Sequence, residues 1–129
     1  MNSLIGIPYK FHGRTKDGVD CLGIVQLFYR KFFNISIPEY LYSHANENES
    51  CETTITAGQF DGNWKPVTDL QYGDMLVFRI KGRPTHVGVY LGNNEFLHCL
   101  AGRMSCIERL DSLTWRNRLV GAHRWIIKS

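Results

Sequence analysis

Residues 20–33 read DCLGIVQLFYRKFF, and this stretch decides the fold. Its apolar side chains recur at the spacing of one helical face. They are Cys21, Ile24, Val25, Phe28 and Phe32. Asp20 is a good N-cap, because its carboxylate can accept hydrogen bonds from the free amides of the first turn. Asn34 and Pro38 end the pattern. The stretch therefore predicts a helix with one buried face and a thiol at its first turn.

The second half of the chain has the period of two that is typical of strands. After Tyr72-Gly73-Asp74 the pattern predicts strands at 75–80, 85–91, 95–100, 103–109 and 119–127, with turns at 81–84 and 92–94 and a short turn or helix around 111–115. Residues 1–19 are interpreted as a loop, and residues 40–70 as a long connection with a short helix within 46–57. One helix followed by strands predicts a single α+β domain over residues 1–129, with the helix packed on an antiparallel sheet of about five strands.

Length, composition and charge narrow the class of protein to which the chain can belong. A chain of 129 residues that is 43% hydrophobic can form one domain with an ordinary core. The net charge is +3, and basic residues concentrate in 103–128, but they form no long run and no aromatic residues interleave with them. We therefore expect no nucleic-acid partner. The first residues lack a basic segment followed by a long apolar one, and no apolar run reaches the roughly 20 residues of a membrane span. We expect synthesis in the cytoplasm without a signal peptide, and no membrane insertion.

The four cysteines are too few and too unevenly spaced for a disulfide scaffold. They are Cys21, Cys51, Cys99 and Cys106. A bridge between Cys99 and Cys106 across a turn is one alternative, and free thiols in a reducing compartment are the favoured one. Cys21 itself has two interpretations. A thiol at a helix N-terminus can be a reactive nucleophile, because the unpaired amides there favour the thiolate; it can also be the first core residue of the helical face.

Two histidines on neighbouring strands favour the reactive interpretation. Strand alternation places His86 on the face opposite the apolar residues Val87, Val89 and Leu91. A three-residue loop at 92–94 would set Leu91 opposite Glu95 and Gly88 opposite His98, so that both imidazoles share one face. In that register His86 can act as a base and His98 can orient it. A two-residue loop would move His98 to the other face.

The alternative chemistry is a metal site. Cys21, His86, His98 and Cys99 are residue types that zinc prefers. However, His98 and Cys99 are adjacent on a strand and should point to opposite faces, and no pair has the usual spacing of zinc ligands. We therefore expect no metal and no cofactor; a glycine-rich phosphate loop is also missing from the sequence.

These segments resemble the NlpC/P60 cysteine peptidases, papain-like hydrolases of bacterial peptidoglycan. The similar stretches are PYKFHGRTKDGVDCLGIVQLFY and YGDMLVFRIKGRPTHVGVYLGNNEFLHC, including the spacing of twelve between the two histidines. The stretch DCLGIVQLFYRKFF followed by NISIPEY, with a closing GAHRW, is similar to the branch found in phage tail-tip and tail-assembly proteins. The resemblance spans nearly the whole chain except the acidic stretch around 43–60. It implies a papain-like fold.

The resemblance also implies an activity and a set of site residues. The reaction would be cleavage of a γ-D-glutamyl–diaminopimelate or similar bond in a stem peptide, with Cys21 attacking, His86 as base and His98 as the orienting third residue. Tyr9 would line the cleft near the reacting carbonyl, unless it is a packed loop aromatic. Asp20 would bind the free amine of the stem in addition to capping the helix. Many cell-wall members read DCSG, whereas this chain has Leu22 in place of the serine.

The resemblance to the phage branch implies an enzyme carried in the virion that acts on the host cell wall, with tail proteins as partners. Two alternatives remain open. One is a structural tail-assembly protein with an unused thiol site. The other is an acyltransferase on the same fold, which would need an apolar cleft and a membrane-docking stretch.

Overall fold

Helix α1 spans Cys21–Phe33 in a computed structural model that describes residues 1–38, 63–80 and 83–126. Asp20 caps its start, and Asn34 ends it in the left-handed conformation at φ 54°. The predicted face is buried at Ile24, Val25 and Phe28. Phe32, the last residue of that face, is 36% exposed and lies over the ring of Phe28, so the prediction is wrong for the final turn. Of the helices in the described ranges, none combines the length and the apolar character that a membrane span requires.

The strands form a ribbon and a sheet. Strands β1 (Arg14–Thr15) and β2 (Gly18–Val19) pair as a small antiparallel ribbon, and a 3-10 helix covers Asn2–Leu4. The main sheet has six strands, in the order β3-β8-β4-β5-β6-β7, and its neighbours pair antiparallel. They are β3 (Trp64–Val67), β4 (Met75–Ile80), β5 (Arg83–Gly92), β6 (Glu95–His98), β7 (Cys106–Arg109) and β8 (Leu119–Trp125).

The sheet departs from the prediction at its edges. Strand β3 lies within residues 40–70, for which the sequence predicts a connection. The sequence does not predict this strand, because WKPV contains a lysine and a proline. Both residues suit an edge strand, where a missing ladder hydrogen bond and an exposed charge are tolerated. Strands β6 and β7 are shorter than predicted, and residues 111–115 form turns. Residues 1–19 are a loop only in part. The helix predicted within 46–57 lies outside the described residues, as does part of the turn at 81–84.

Two clusters of buried side chains cover the two faces of the sheet. The larger one includes Ile24, Val25 and Phe28 of α1 with Val87 and Val89 of β5. The smaller one, on the other face, includes Phe78, Phe96 and Trp115. Alternation along β5 thus directs the valines towards the helix and His86 towards the aromatic cluster, as the strand period predicts.

The hairpin between β5 and β6 has the predicted register at the histidines, but its turn differs from the predicted one. Its turn has two residues, Asn93 and Asn94, both with positive φ (53° and 62°), which is the backbone pattern of a type I′ turn. A bulge at Leu91 adds one residue to β5, so that Gly92 rather than Leu91 pairs with Glu95. The prediction for the turn is therefore wrong. The bulge offsets the shorter loop, and the register at the histidines is the expected one.

Candidate active site

Asp20 organises the segment in front of α1. Its carboxylate is fully buried and accepts hydrogen bonds from the amide of Gly23 (2.8 Å), the amide of His12 (3.0 Å) and the guanidinium of Arg14 (2.7 Å). The N-cap predicted from the sequence is confirmed. Since both carboxylate oxygens already have partners in the chain, binding of a substrate amine by Asp20 stays a prediction.

Cys21 is the first residue of α1 and is 4% exposed. The amides of the first helical turn lie beside it, where a helix presents unpaired donors. Gly23 allows the preceding loop to close over this turn, because a Cβ there would collide with the carbonyl oxygen of Gly13. Helix α1 packs against β5, the strand that carries His86. The thiol is therefore held on a rigid element next to the strand of its predicted base.

The two imidazoles predicted to share a face are in direct contact. His86 Nε2 and His98 Nδ1 are 2.8 Å apart. Gly88 makes the approach possible, because a Cβ at this position would lie only 3.2 Å from the Cβ of His98. The geometric prediction for this pair is confirmed, while the catalytic roles of the two residues stay predictions.

A carboxylate extends the pair to a chain of three groups. His98 Nε2 lies 2.6 Å from Oε2 of Glu108 on β7. An ionised carboxylate only accepts hydrogen bonds, so His98 carries its proton on Nε2 and uses Nδ1 as an acceptor. His86 must then donate from Nε2, which leaves the lone pair on its Nδ1. This is the tautomer that a general base needs.

Sequence reasoning missed Glu108. The alternation Cys106-Ile107-Glu108 indicates that the cysteine and the glutamate share one face of a strand. However, the pairing of β6 with β7 across residues 99–105 cannot be inferred from spacing. In the structure His98 is the direct cross-strand partner of Cys106, and Glu108 lies opposite Phe96.

Aromatic side chains pack against the histidine pair, and both histidines are buried. Trp115 is buried and packs against both rings, with centroid distances of 5.8 Å to His86 and 5.0 Å to His98. Phe78 packs against the ring of His86, and Phe96 packs against the ring of His98. Burial lowers the pKa of His86 well below its usual value, and the neighbouring His98 lowers it further. Burial also lowers the pKa of His98, although the hydrogen bond that His98 donates to Glu108 opposes this shift. Both imidazoles are therefore neutral near pH 7.

The remaining residues singled out from the sequence lie around this centre. Tyr9 is half-buried, pairs with Val19 in an isolated bridge and donates its amide to the carbonyl of Arg103. Cys99 lies in the helix-side core with its Sγ 3.6 Å from the carbonyl oxygen of Val19, and burial raises its pKa to about 12. Cys99 and His98 thus point to opposite faces, as predicted. Cys99 therefore lies on the face of the sheet opposite His86 and His98, and the four residues considered as a zinc set do not converge on one ion.

All three cysteines in the described part of the chain are free thiols: Cys21, Cys99 and Cys106.

A cysteine at the start of a helix and a hydrogen-bonded histidine pair on the adjoining antiparallel sheet define a papain-like domain of the thiol-hydrolase type. The family model of the NlpC/P60 family matches residues 6–124, and the chain belongs to this family.

Curated relatives are similar over nearly the whole chain. The chain is 29% identical over 124 residues to the murein DD-endopeptidase MepS/murein LD-carboxypeptidase of Escherichia coli (strain K12), which covers 96% of this chain and 58% of that protein. It is 34% identical to the murein DD-endopeptidase MepH of the same strain, over 96% of this chain and 44% of that protein. The chain therefore spans about half the length of these relatives.

Solved structures have the same fold. An NLP/P60 family protein from Staphylococcus aureus subsp. aureus Mu50, described as similar to lipoprotein, superimposes with a TM-score of 0.68 at 28% identity and covers 97% of this chain and 38% of that one. The NlpC/p60 domain of the peptidoglycan hydrolase SagA has a TM-score of 0.64 at 20% identity over 95% of this chain and 91% of that domain, which supports the fold alone.

Replacing Glu108 by glutamine is expected to lower kcat about 10- to 100-fold with little change in KM, the size of effect that outer partners of a functional histidine commonly have. Glutamine keeps an acceptor for His98 Nε2 but adds a competing donor and removes the charge, so the tautomer of the pair is no longer imposed. The measurement is the pH profile of stem-peptide cleavage. Its acid limb should move in the variant, because the contribution of Glu108 to the pKa of His98 is lost.

Glu95→Gln is the matched control, since Glu95 begins β6 but pairs with Arg109 instead of the histidines. Equal kcat and an unmoved pH profile in Glu108→Gln would contradict a positioning role for Glu108.

Proposed function

We propose that this chain is a cysteine endopeptidase that cleaves stem peptides of peptidoglycan, at a γ-D-glutamyl–diaminopimelate or similar bond. The observation that carries the proposal is the buried His86–His98 pair, whose hydrogen bond to Glu108 leaves the free lone pair on Nδ1 of His86. Buried titratable groups with shifted pKa values are concentrated at functional sites, and the pKa values of both histidines are lowered by burial. Two of the relatives described above are murein endopeptidases by name, which supports the substrate class.

The proposed reaction gives each of these groups a role. His86 Nδ1 accepts the proton of the Cys21 thiol as the sulfur attacks the carbonyl carbon of the scissile bond. Backbone amides at the start of α1 stabilise the oxyanion that develops. The tetrahedral intermediate collapses, the C–N bond breaks, and His86 returns the proton to the leaving amine. Water then attacks the thioester, with His86 again as the base, and the free thiol is restored.

The proposal extends to the setting of the enzyme. The similarity of residues 20–40 and 121–125 to phage tail-tip proteins supports a role in a virion that opens the host wall locally, with tail proteins as partners. This setting is tested separately, by looking for the chain in purified virions by mass spectrometry. The buried Leu22, in place of the serine of many relatives, supports a mode of recognising the stem that does not use a hydroxyl group at this position.

The test of the activity is digestion of purified diaminopimelate-type sacculi by the wild type and by Cys21→Ala, followed by mass spectrometry of the released fragments. New peptide ends made only by the wild type would support the peptidase and name the bond. Cys51→Ala serves as a thiol control, and circular dichroism checks that each variant is folded. If the wild type cleaves neither sacculi nor isolated muropeptides, the result would contradict the proposal and favour a structural tail-assembly protein. Transfer of an acyl group to an added amine, without hydrolysis, would favour an acyltransferase.

A further inference from the structure

Three metal-ligating atoms meet at the outer end of the histidine pair. Cys106 Sγ lies 3.7 Å from His98 Nε2 and 3.9 Å from Glu108 Oε2, and the latter two atoms are 2.6 Å apart. All three are within 4.8 Å of one another. This set differs from the one considered in the sequence, because it depends on the cross-strand pair of His98 with Cys106.

The separations suit a small tetrahedral ion. Zinc bonds of about 2.0–2.3 Å place tetrahedral ligand atoms roughly 3.3–3.8 Å apart. The two distances from the sulfur are already close to this range, and the contact between His98 and Glu108 needs to open by less than about 1 Å. Glu108 is 31% exposed and Cys106 is partly exposed, so an ion can enter from solvent. One thiolate, one imidazole and one carboxylate form a donor set that zinc accepts, with a fourth position left for water.

We propose that His98, Cys106 and Glu108 bind Zn²⁺, and that the bound ion switches the peptidase off. Binding requires loss of the Cys106 proton to solvent and a free lone pair on His98 Nε2. The ring proton of His98 therefore moves to Nδ1, which now donates to His86 Nε2. His86 must accept at Nε2 and carry its own proton on Nδ1. It then has no lone pair for the Cys21 thiol.

The binding part of the proposal is independent of the proposed function, whereas the inhibition rests on it. Binding is measured by titrating Zn²⁺ into the Cys21→Ala chain by calorimetry, with Co²⁺ as a spectroscopic probe. Cys21 is removed so that its thiol cannot compete for the ion. We expect one equivalent of metal, a thiolate-to-cobalt charge-transfer band and tetrahedral d–d bands. Adding Cys106→Ala should weaken binding about 100-fold or more, beyond the effect of losing an outer partner of a ligand. No binding, or binding unaffected by Cys106→Ala, would overturn the site.

The inhibition is measured on chains treated with a chelator and then titrated with Zn²⁺. Each variant is compared with itself without zinc. Two readouts are followed: cleavage of a stem peptide, and alkylation of Cys21 by iodoacetamide, which needs no substrate. Both should slow in the wild type at zinc concentrations that fill the site, and the Cys106→Ala chain should lose this sensitivity.

Equal inhibition of both chains would place the inhibiting ion on Cys21 and overturn the switch. If alkylation responds to zinc as expected and no stem peptide is cleaved by any chain, the switch stands and the proposed peptidase activity fails.

Discussion

Replacing His86 by glutamine is expected to lower stem-peptide cleavage by about 10²- to 10⁴-fold, the usual contribution of a positioned general base. The amide cannot accept the thiol proton during attack, and Cys21 then reacts only through its own ionisation. Alkylation of Cys21 by iodoacetamide tests this pairing without substrate. In the wild type the reaction should continue into mildly acidic buffer, whereas in the variant it should stop at a higher pH, because only the thiolate that Cys21 forms without a base then reacts. Identical profiles for the two chains would contradict a proton transfer from Cys21 to His86.

The pH dependence of the wild type follows from the same residue. Because burial and His98 lower the pKa of His86, its neutral form persists below pH 6.5, and activity should fall only at more acidic pH. The unfolded chain, by contrast, takes up a proton on this imidazole near pH 6.5. The free energy of unfolding is therefore highest above this pH and decreases as the pH falls below it. His123→Gln is the control for the activity profile, since His123 lies on β8, paired with Met75 and Pro66. It is not a control for the stability profile, because burial lowers the pKa of His123 as well.

Replacing Asp20 by alanine is expected to lower the free energy of unfolding by about 3 kcal/mol, the lower end of the range for breaking a buried ion pair. The change removes the N-cap of α1 and leaves the Gly23 and His12 amides without the carboxylate they share. Arg14 loses its partner as well, but it is partly exposed and can regain water, which limits the loss. Urea denaturation followed by circular dichroism measures the effect.

Two further variants test whether the loss of stability in Asp20→Ala comes from the buried carboxylate. Asp20→Asn keeps a capping oxygen and loses the charge, so its loss should be clearly smaller than that of alanine. Asp17→Ala removes an exposed acid from the turn before β2 and should change stability by less than about 0.5 kcal/mol. A loss at Asp20→Ala no greater than at Asp17→Ala would show that the buried network does not hold the helix start.

Helix α1 and the inner strands could be predicted because each has a strong local signal. The stripe of Ile24, Val25 and Phe28 follows the helical period, and Val87 and Val89 follow the strand period. Strand β3 could not be predicted, because an edge strand need not be apolar. This strand contains Lys65 and Pro66. The hairpin at Asn93-Asn94 shows a related limit. The bulge at Leu91 depends on the register in which β5 and β6 pair, and the residues of one strand do not determine that register.

The sequence by itself therefore determined the helix with Cys21 at its start, the strands that follow, the family, and the two histidines that share a face. These features depend on residue types and on periods within one segment. Only the tertiary structure decided three contacts. Glu108 is hydrogen-bonded to His98, Trp115 packs against both histidine rings, and Cys106 lies next to His98 and Glu108. These contacts join strands and turns separated by loops of irregular length, and the register across such loops is set by packing of the whole sheet, which no local period reports.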